Sequence, residues 1–189
     1  MKTFKKTLLA LSLLGLGATA MAAETPIGEP VKNEDAGLEI AAVYLQPIEM
    51  EIGDQWVKKG HKMLSAKEAD VHVEADIHAL AKNKNGFAED EWVPYLTVNY
   101  ELKKKDSDWS KKGTFMAMVA DDGPHYGENV KLDGPGKYNL KYEILPPSAN
   151  QDIVFGRHTD KETGVDEWFK PVEVSWDFNY AGTGKKGGY

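Results

Sequence analysis

Val71-His72-Val73-Glu74-Ala75-Asp76-Ile77-His78-Ala79 decides how the rest of the chain is read. Successive side chains of an extended chain leave opposite faces, so Val71, Val73, Ala75, Ile77 and Ala79 point one way and His72, Glu74, Asp76 and His78 the other. Alternation this strict predicts a strand with one face in a core rather than a helix. Val172, Val174, Trp176, Phe178 and Tyr180 repeat the pattern against Glu173, Ser175, Asp177 and Asn179. Further strands are expected at 40–50, 93–102, 114–120, 129–132 and 137–144. The last two flank Asp133-Gly134-Pro135-Gly136, a strong turn sequence. About seven short strands, with no convincing amphipathic helix, predict an all-β chain folded as an antiparallel β-sandwich.

Outside the strands the composition changes. Lys2, Lys5 and Lys6 precede an apolar run from Leu8 to Ala18, and small residues follow at Ala20, Ala22 and Ala23. Basic, apolar and small in that order reads as a secretory signal peptide over residues 1–22, its apolar run too short to span a bilayer. Residues 23–37 are expected to form an extended N-terminal leader, 38–180 the β domain, and 181–189 a frayed tail without apolar content. No later stretch is apolar and long enough to cross a membrane, so no stable membrane insertion is expected.

The net charge is −7, and cleavage after Ala22 would remove three lysines and no acids, leaving −10. An acidic surface repels nucleic acid and anionic lipid and attracts cations. The chain has no cysteine. That excludes disulfides, a lipid-modified cysteine, a blue-copper thiolate, thiol nucleophiles and iron–sulfur ligation.

Metal chemistry survives these exclusions. His72 and Glu74 leave one strand face about 7 Å apart at the backbone, close enough for long side chains to meet on one ion. Taken alone, the segment fits the solvent face of a half-buried strand better than a metal site. Met116 and Met118 lie on a predicted strand that runs into Asp121-Asp122-Gly123-Pro124-His125-Tyr126-Gly127. Met116 is read as core filler, because thioethers fill irregular gaps well. Met118 beside a tightly turned His125 is instead a geometry that a soft-ligand site uses. Imidazole with thioether suits copper, and a carboxylate nearby adds hard-ion character. His158, in Gly156-Arg157-His158-Thr159-Asp160, is expected in a loop, where packing gives no reason for a histidine. His61 reads as a solvated turn residue and His78 as peripheral. Glu49 and Glu51, with Glu74, either form a harder oxygen-rich site for Fe2+ or Mn2+ or line an exposed edge strand.

These stretches together resemble the periplasmic high-affinity iron-transport family of FetP-like proteins, related to a treponemal metal-binding lipoprotein. The resemblance runs through Tyr44 to Glu51, His72 to His78, Phe115 to Met118, Gly123 to Gly127, Pro146-Pro147 and Arg157-His158. Its most specific element is Met118 and, seven positions on, His125, joined to Gly-Pro-His-Tyr-Gly. The resemblance implies an immunoglobulin-like fold, a homodimer, and a copper (Cu2+/Cu+) site of His72, Met118, His125 and His158 with Glu74 close by. Such sites lie near the dimer interface, so either subunit could supply His158. It further implies an inner-membrane FTR-type iron permease as partner. Lacking a cysteine to lipidate, this version is expected free in the periplasm.

Three functions compete on this reading: a component of ferrous iron uptake, a copper buffer or chaperone, and a copper-dependent Fe(II) oxidase. One copper moves one electron at a time, which disfavours the oxidase. No Ser/His/Asp set, phosphate loop or acid–base pair suggests hydrolysis.

Overall fold

A computed structural model describes residues 24–182; the expected signal peptide and the last tail residues lie outside them. The strands in chain order are β1 (Thr25–Pro26), β2 (Val31–Asn33), β3 (Leu38–Leu45), β4 (Val71–Ala79) and β5 (Thr97–Lys104). They continue with β6 (Ser110–Thr114), β7 (Met116–Val119), β8 (Pro124–Val130), β9 (Gly136–Leu145) and β10 (Val172–Tyr180). One α-helical turn, α1 (Asp54–Lys58), interrupts them.

Two antiparallel sheets face each other. The first runs β1-β3-β4-β8-β7, with β2 also on β3; the second runs β10-β9-β5-β6. The expected fold is found: an all-β, immunoglobulin-like antiparallel sandwich. Its core comes from the apolar side of each alternating strand. Ile40, Val71, Val73 and Ile77 of the first sheet meet Val98, Leu102, Leu140 and Ile144 of the second, all buried. Tyrosines join this core by satisfying their hydroxyls: Tyr126 donates to the Val93 carbonyl at 2.7 Å and Tyr142 to that of Glu74 at 2.9 Å.

Residues 114–120 do not form one strand. β6 pairs with β5 in the second sheet, while β7 pairs with β8 in the first. The chain crosses between them at Phe115, whose ring is buried against Tyr100 at 4.7 Å and whose N–H donates to the Val98 carbonyl. Burying that ring requires its neighbours to turn toward different sheets. The leader also departs from a free extension: β1 and β2 both pair with β3, and Ile27 between them is fully buried.

The outer face of the first sheet is where function is positioned. Residues 46–70, outside any strand, carry α1. The Asn129 side chain of β8 hydrogen-bonds the backbone of Ile48 and of Leu64. Beneath, on β4, even the polar residues His72 and Glu74 are buried.

Candidate metal centre

β4 presents His72 and Glu74 on its outer face, and antiparallel register sets what stands beside them. His72 lies opposite Asn129 and Glu74 opposite Gly127 of β8. His125, two residues from Gly127, therefore shares that face. Gly127 is a steric necessity: a Cβ there would sit 2.7 Å from His72 Nε2.

Met118 arrives through a tight hairpin. Ala120 and Gly123 exchange backbone hydrogen bonds around Asp121-Asp122, with Gly123 at φ +144°. Counting outward, Val119 pairs with Pro124 and Met118 with His125. Directly opposed residues of an antiparallel pair put their side chains on one face, so the half-buried Met118 is the immediate neighbour of His125. The Met–His spacing in the sequence is thus the spacing of a two-residue turn.

The three buried groups converge. His72 Nε2 lies 3.5 Å and His125 Nε2 3.3 Å from the same Glu74 oxygen, Oε1, and the two rings are 6.0 Å apart. Neither Nε2 has a hydrogen-bond partner, although both are buried. An unpartnered buried polar atom costs about 1–3 kcal/mol, so two aimed at one carboxylate mark a place where something is meant to sit. Ligand atoms of His72, Glu74 and His125 all lie within 4.8 Å of one another. Neutral imidazole nitrogens with a carboxylate fit a divalent transition metal, and the adjoining thioether widens the choice to a soft ion.

The tautomer of His72 follows from its neighbour. The amide nitrogen of Asn129 donates to the carbonyls of Ile48 and Leu64, both at 2.8 Å, which fixes the amide orientation. Its Oδ1 therefore faces His72 Nδ1 at 3.0 Å and accepts a proton from it. Nε2 is left with a lone pair directed at Glu74. Burial keeps the ring neutral, lowering its pKa to about 4 against the opposing pull of the Asn129 bond.

Carboxylates crowd the mouth of the site. A cleft of about 210 Å³ is lined by Glu24, Glu74, Asp76, His78, Asp122 and His125, among others. Burial, with the charges of Asp76, Glu24 and Asp122 adding to it, pushes Glu74 up to about 8. Burial raises Asp76 as well, and it raises Glu24, which hydrogen-bonds Asp122. Such a concentration of acids favours either protonation or a bound cation.

The remaining candidates lie elsewhere. Within one chain His158 is not gathered with His72 and His125: it is exposed, and its Nδ1 meets Thr163 Oγ1 at 2.8 Å in the long connection between β9 and β10. Glu49 and Glu51 are exposed on the covering segment, not on an edge strand. His61 is exposed and packs edge-on against Trp56. Asn129, Gly127, Glu24 and Asp122 were not singled out from the sequence. Only Gly127 and Asp122 had a visible signal there, inside the Asp-Gly-Pro-His-Tyr-Gly stretch.

Known proteins are similar to this chain. The family described as "Fe2+ transport protein" matches residues 21–182. The chain belongs to that family. Among its relatives, a UPF0423 protein of Brucella abortus is 60% identical over 176 residues, 93% of this chain and 92% of its own length. The 34 kDa membrane antigen of Treponema pallidum is 40% identical, covering 82% of this chain and 72% of the antigen. A copper-bound variant of FetP from uropathogenic Escherichia coli is 51% identical, with a TM-score of 0.74 over 84% of this chain and 97% of FetP. FetP has also been crystallised as isolated after recombinant expression in the periplasm. Among the described residues, no helix of this family member is long and apolar enough to cross a membrane.

Proposed function

We propose that this chain is a periplasmic metal-binding component of high-affinity ferrous iron uptake. One observation carries the reading: two buried imidazole nitrogens, both unpartnered, converge on a single carboxylate oxygen. His72 and His125 hold copper, Met118 adds its thioether, and Glu74 lies alongside. His158, exposed on its own chain, is available to a second copy, so a homodimer supplies it in trans. Copper in such a set is a one-electron redox ion. The protein's own part is to present His72 as a neutral imidazole shielded from bulk water, set His125 beside it, and surround the entrance with carboxylates.

The carboxylates favour iron as the cargo over a copper buffer. Copper is satisfied by imidazoles and a thioether, whereas Glu24, Asp76 and Asp122 around Glu74 supply the oxygen ligands that Fe2+ or Mn2+ prefers. The inner-membrane FTR-type permease is the partner to which that cargo would pass. A Glu74→Gln protein should keep most copper affinity and lose Mn2+ binding, measured by competitive titration. Deletion should impair growth under iron chelation, with added iron restoring it. Copper sensitivity with normal growth on low iron would establish the buffer instead.

A further inference from the structure

We infer that Asn129 is a positioning residue that couples the metal centre to the segment covering it. The inference rests on the reading of His72 as a ligand. Asn129 is 1% exposed, and its amide is used completely. Oδ1 accepts from Ile48 N–H at 3.1 Å and from His72 Nδ1 at 3.0 Å, while Nδ2 donates to the carbonyls of Ile48 and Leu64. One planar group therefore touches the imidazole and both arms of residues 46–70. Three side-chain hydrogen bonds from Asn129 thus reach the backbone of residues 46–64.

Two consequences follow from that single amide. First, His72 must carry its proton on Nδ1, because the atom facing it is a carbonyl oxygen that cannot donate. An ion then meets Nε2, the nitrogen that faces Glu74. Second, the segment's position and the imidazole's orientation are not independent. If the segment lifts away, Asn129 loses the two carbonyls that fix its amide, and it is free to rotate and present Nδ2 to His72. A ring bound by metal through Nε2 needs a hydrogen-bond acceptor at Nδ1, so an occupied site favours the closed segment, and by linkage a closed segment favours occupancy. The segment offers a direct reporter, since Lys58, Lys59 and Lys62 on its outer part are exposed.

The test begins on metal-free protein, so that its failure is distinct from a failure to bind copper. Side-chain ¹⁵N–¹H correlation spectra should show His72 as a single Nδ1–H tautomer. In Asn129→Ala the ring should become a mixture of tautomers, and trypsin should cut at Lys58, Lys59 and Lys62 faster. Asn129→Asp keeps the acceptor but loses both donors, so it should preserve the tautomer yet release the segment. Adding Cu2+ should slow cleavage of the parent and not of Asn129→Ala, whose copper affinity falls about 10–100-fold. A parent His72 protonated on Nε2 would overturn the inference without any variant. So would unchanged tautomer and unchanged cleavage in a folded Asn129→Ala or Asn129→Asp.

Discussion

β4 and β10 carry nearly the same sequence pattern and end in opposite surroundings. Each alternates apolar residues toward the core with polar ones away from it. On β10, Glu173, Ser175, Asp177 and Asn179 are not buried, and the acids find lysines across the surface: Glu173 pairs with Lys141 at 2.6 Å and Asp177 with Lys105 at 3.1 Å. On β4, the equivalent His72 is buried beside Asn129, which ties down residues 46–70, and Glu74 is buried at the acid-lined cleft, where its ion-pair partners among the described residues are His72 and His125. Period two specifies a strand and its core face. Whether the other face meets water or becomes a site depends on what the rest of the chain lays over it.

The comparison breaks most sharply at the ligands. Replacing His125 with alanine should lower copper affinity by orders of magnitude while the fold survives. Glu173→Ala, on the open face of β10, should leave affinity unchanged and stability within about 0.5 kcal/mol. Parallel competitive titrations and thermal melts of the two variants decide this. Equal losses from both would remove the distinction between the faces.

A methyl group is the next largest perturbation. Gly127→Ala puts a Cβ 2.7 Å from His72 Nε2, so either the ring or the strand must move. Overpacking of this kind costs about 1–3 kcal/mol and should show in both unfolding and metal titrations. Gly156→Ala, with nothing within 4 Å of the added carbon, should do neither.

Protonation sharpens the contrast more quietly. Glu74 binds its proton up to about pH 8 when folded, but only near its ordinary value of 4.5 when unfolded. Between these values the native state holds the extra proton, so stability must fall as pH rises. His72 works in the other direction. Its folded pKa of about 4 lies below the ordinary 6.5, so its contribution is lost as pH falls below 6.5. Of these two groups, only Glu74 acts from about 6.5 to 8. Chelator-treated protein should therefore become less stable across that interval, by at most about 1.4 kcal/mol per pH unit. Glu74→Gln should flatten the slope, and Glu173→Gln should not.

The smallest effects belong to the exposed histidines. His61→Ala should change neither stability nor affinity. His158→Ala should leave the melting of metal-free protein untouched but weaken copper binding under conditions where the protein sediments as a dimer. A weakening that persists in dilute monomer would place His158 on its own chain's ion.

Most of the fold was legible because alternation survives in single strands: β4, β9 and β10 lie where the pattern puts them, while β5 begins at Thr97, four residues later than expected. The crossing at Phe115 was not, since Thr114 to Ala120 alternates without a break and only the burial of one ring assigns its halves to different sheets. At the site, His72, Glu74, Met118 and His125 were readable from strand phase and hairpin spacing. Asn129 was not, because it acts through backbone atoms of a distant segment, and no periodicity records that. Glu24 and Asp122 reach the mouth only after β1 has paired with β3 and the β7–β8 hairpin has closed.

His72 and His125 stand adjacent in space but far apart along a chain that has no cysteine. An ion held by both would close a loop of about fifty residues, and in a chain-entropy estimate a cross-link of that span is worth about 4 kcal/mol. The Met118–His125 hairpin can form early from local contacts, while β4 must be recruited over the long intervening stretch. That ion would then act as the staple that a cysteine-free sandwich lacks, and a molecule that had surrendered it would be easier to unfold than one still carrying it.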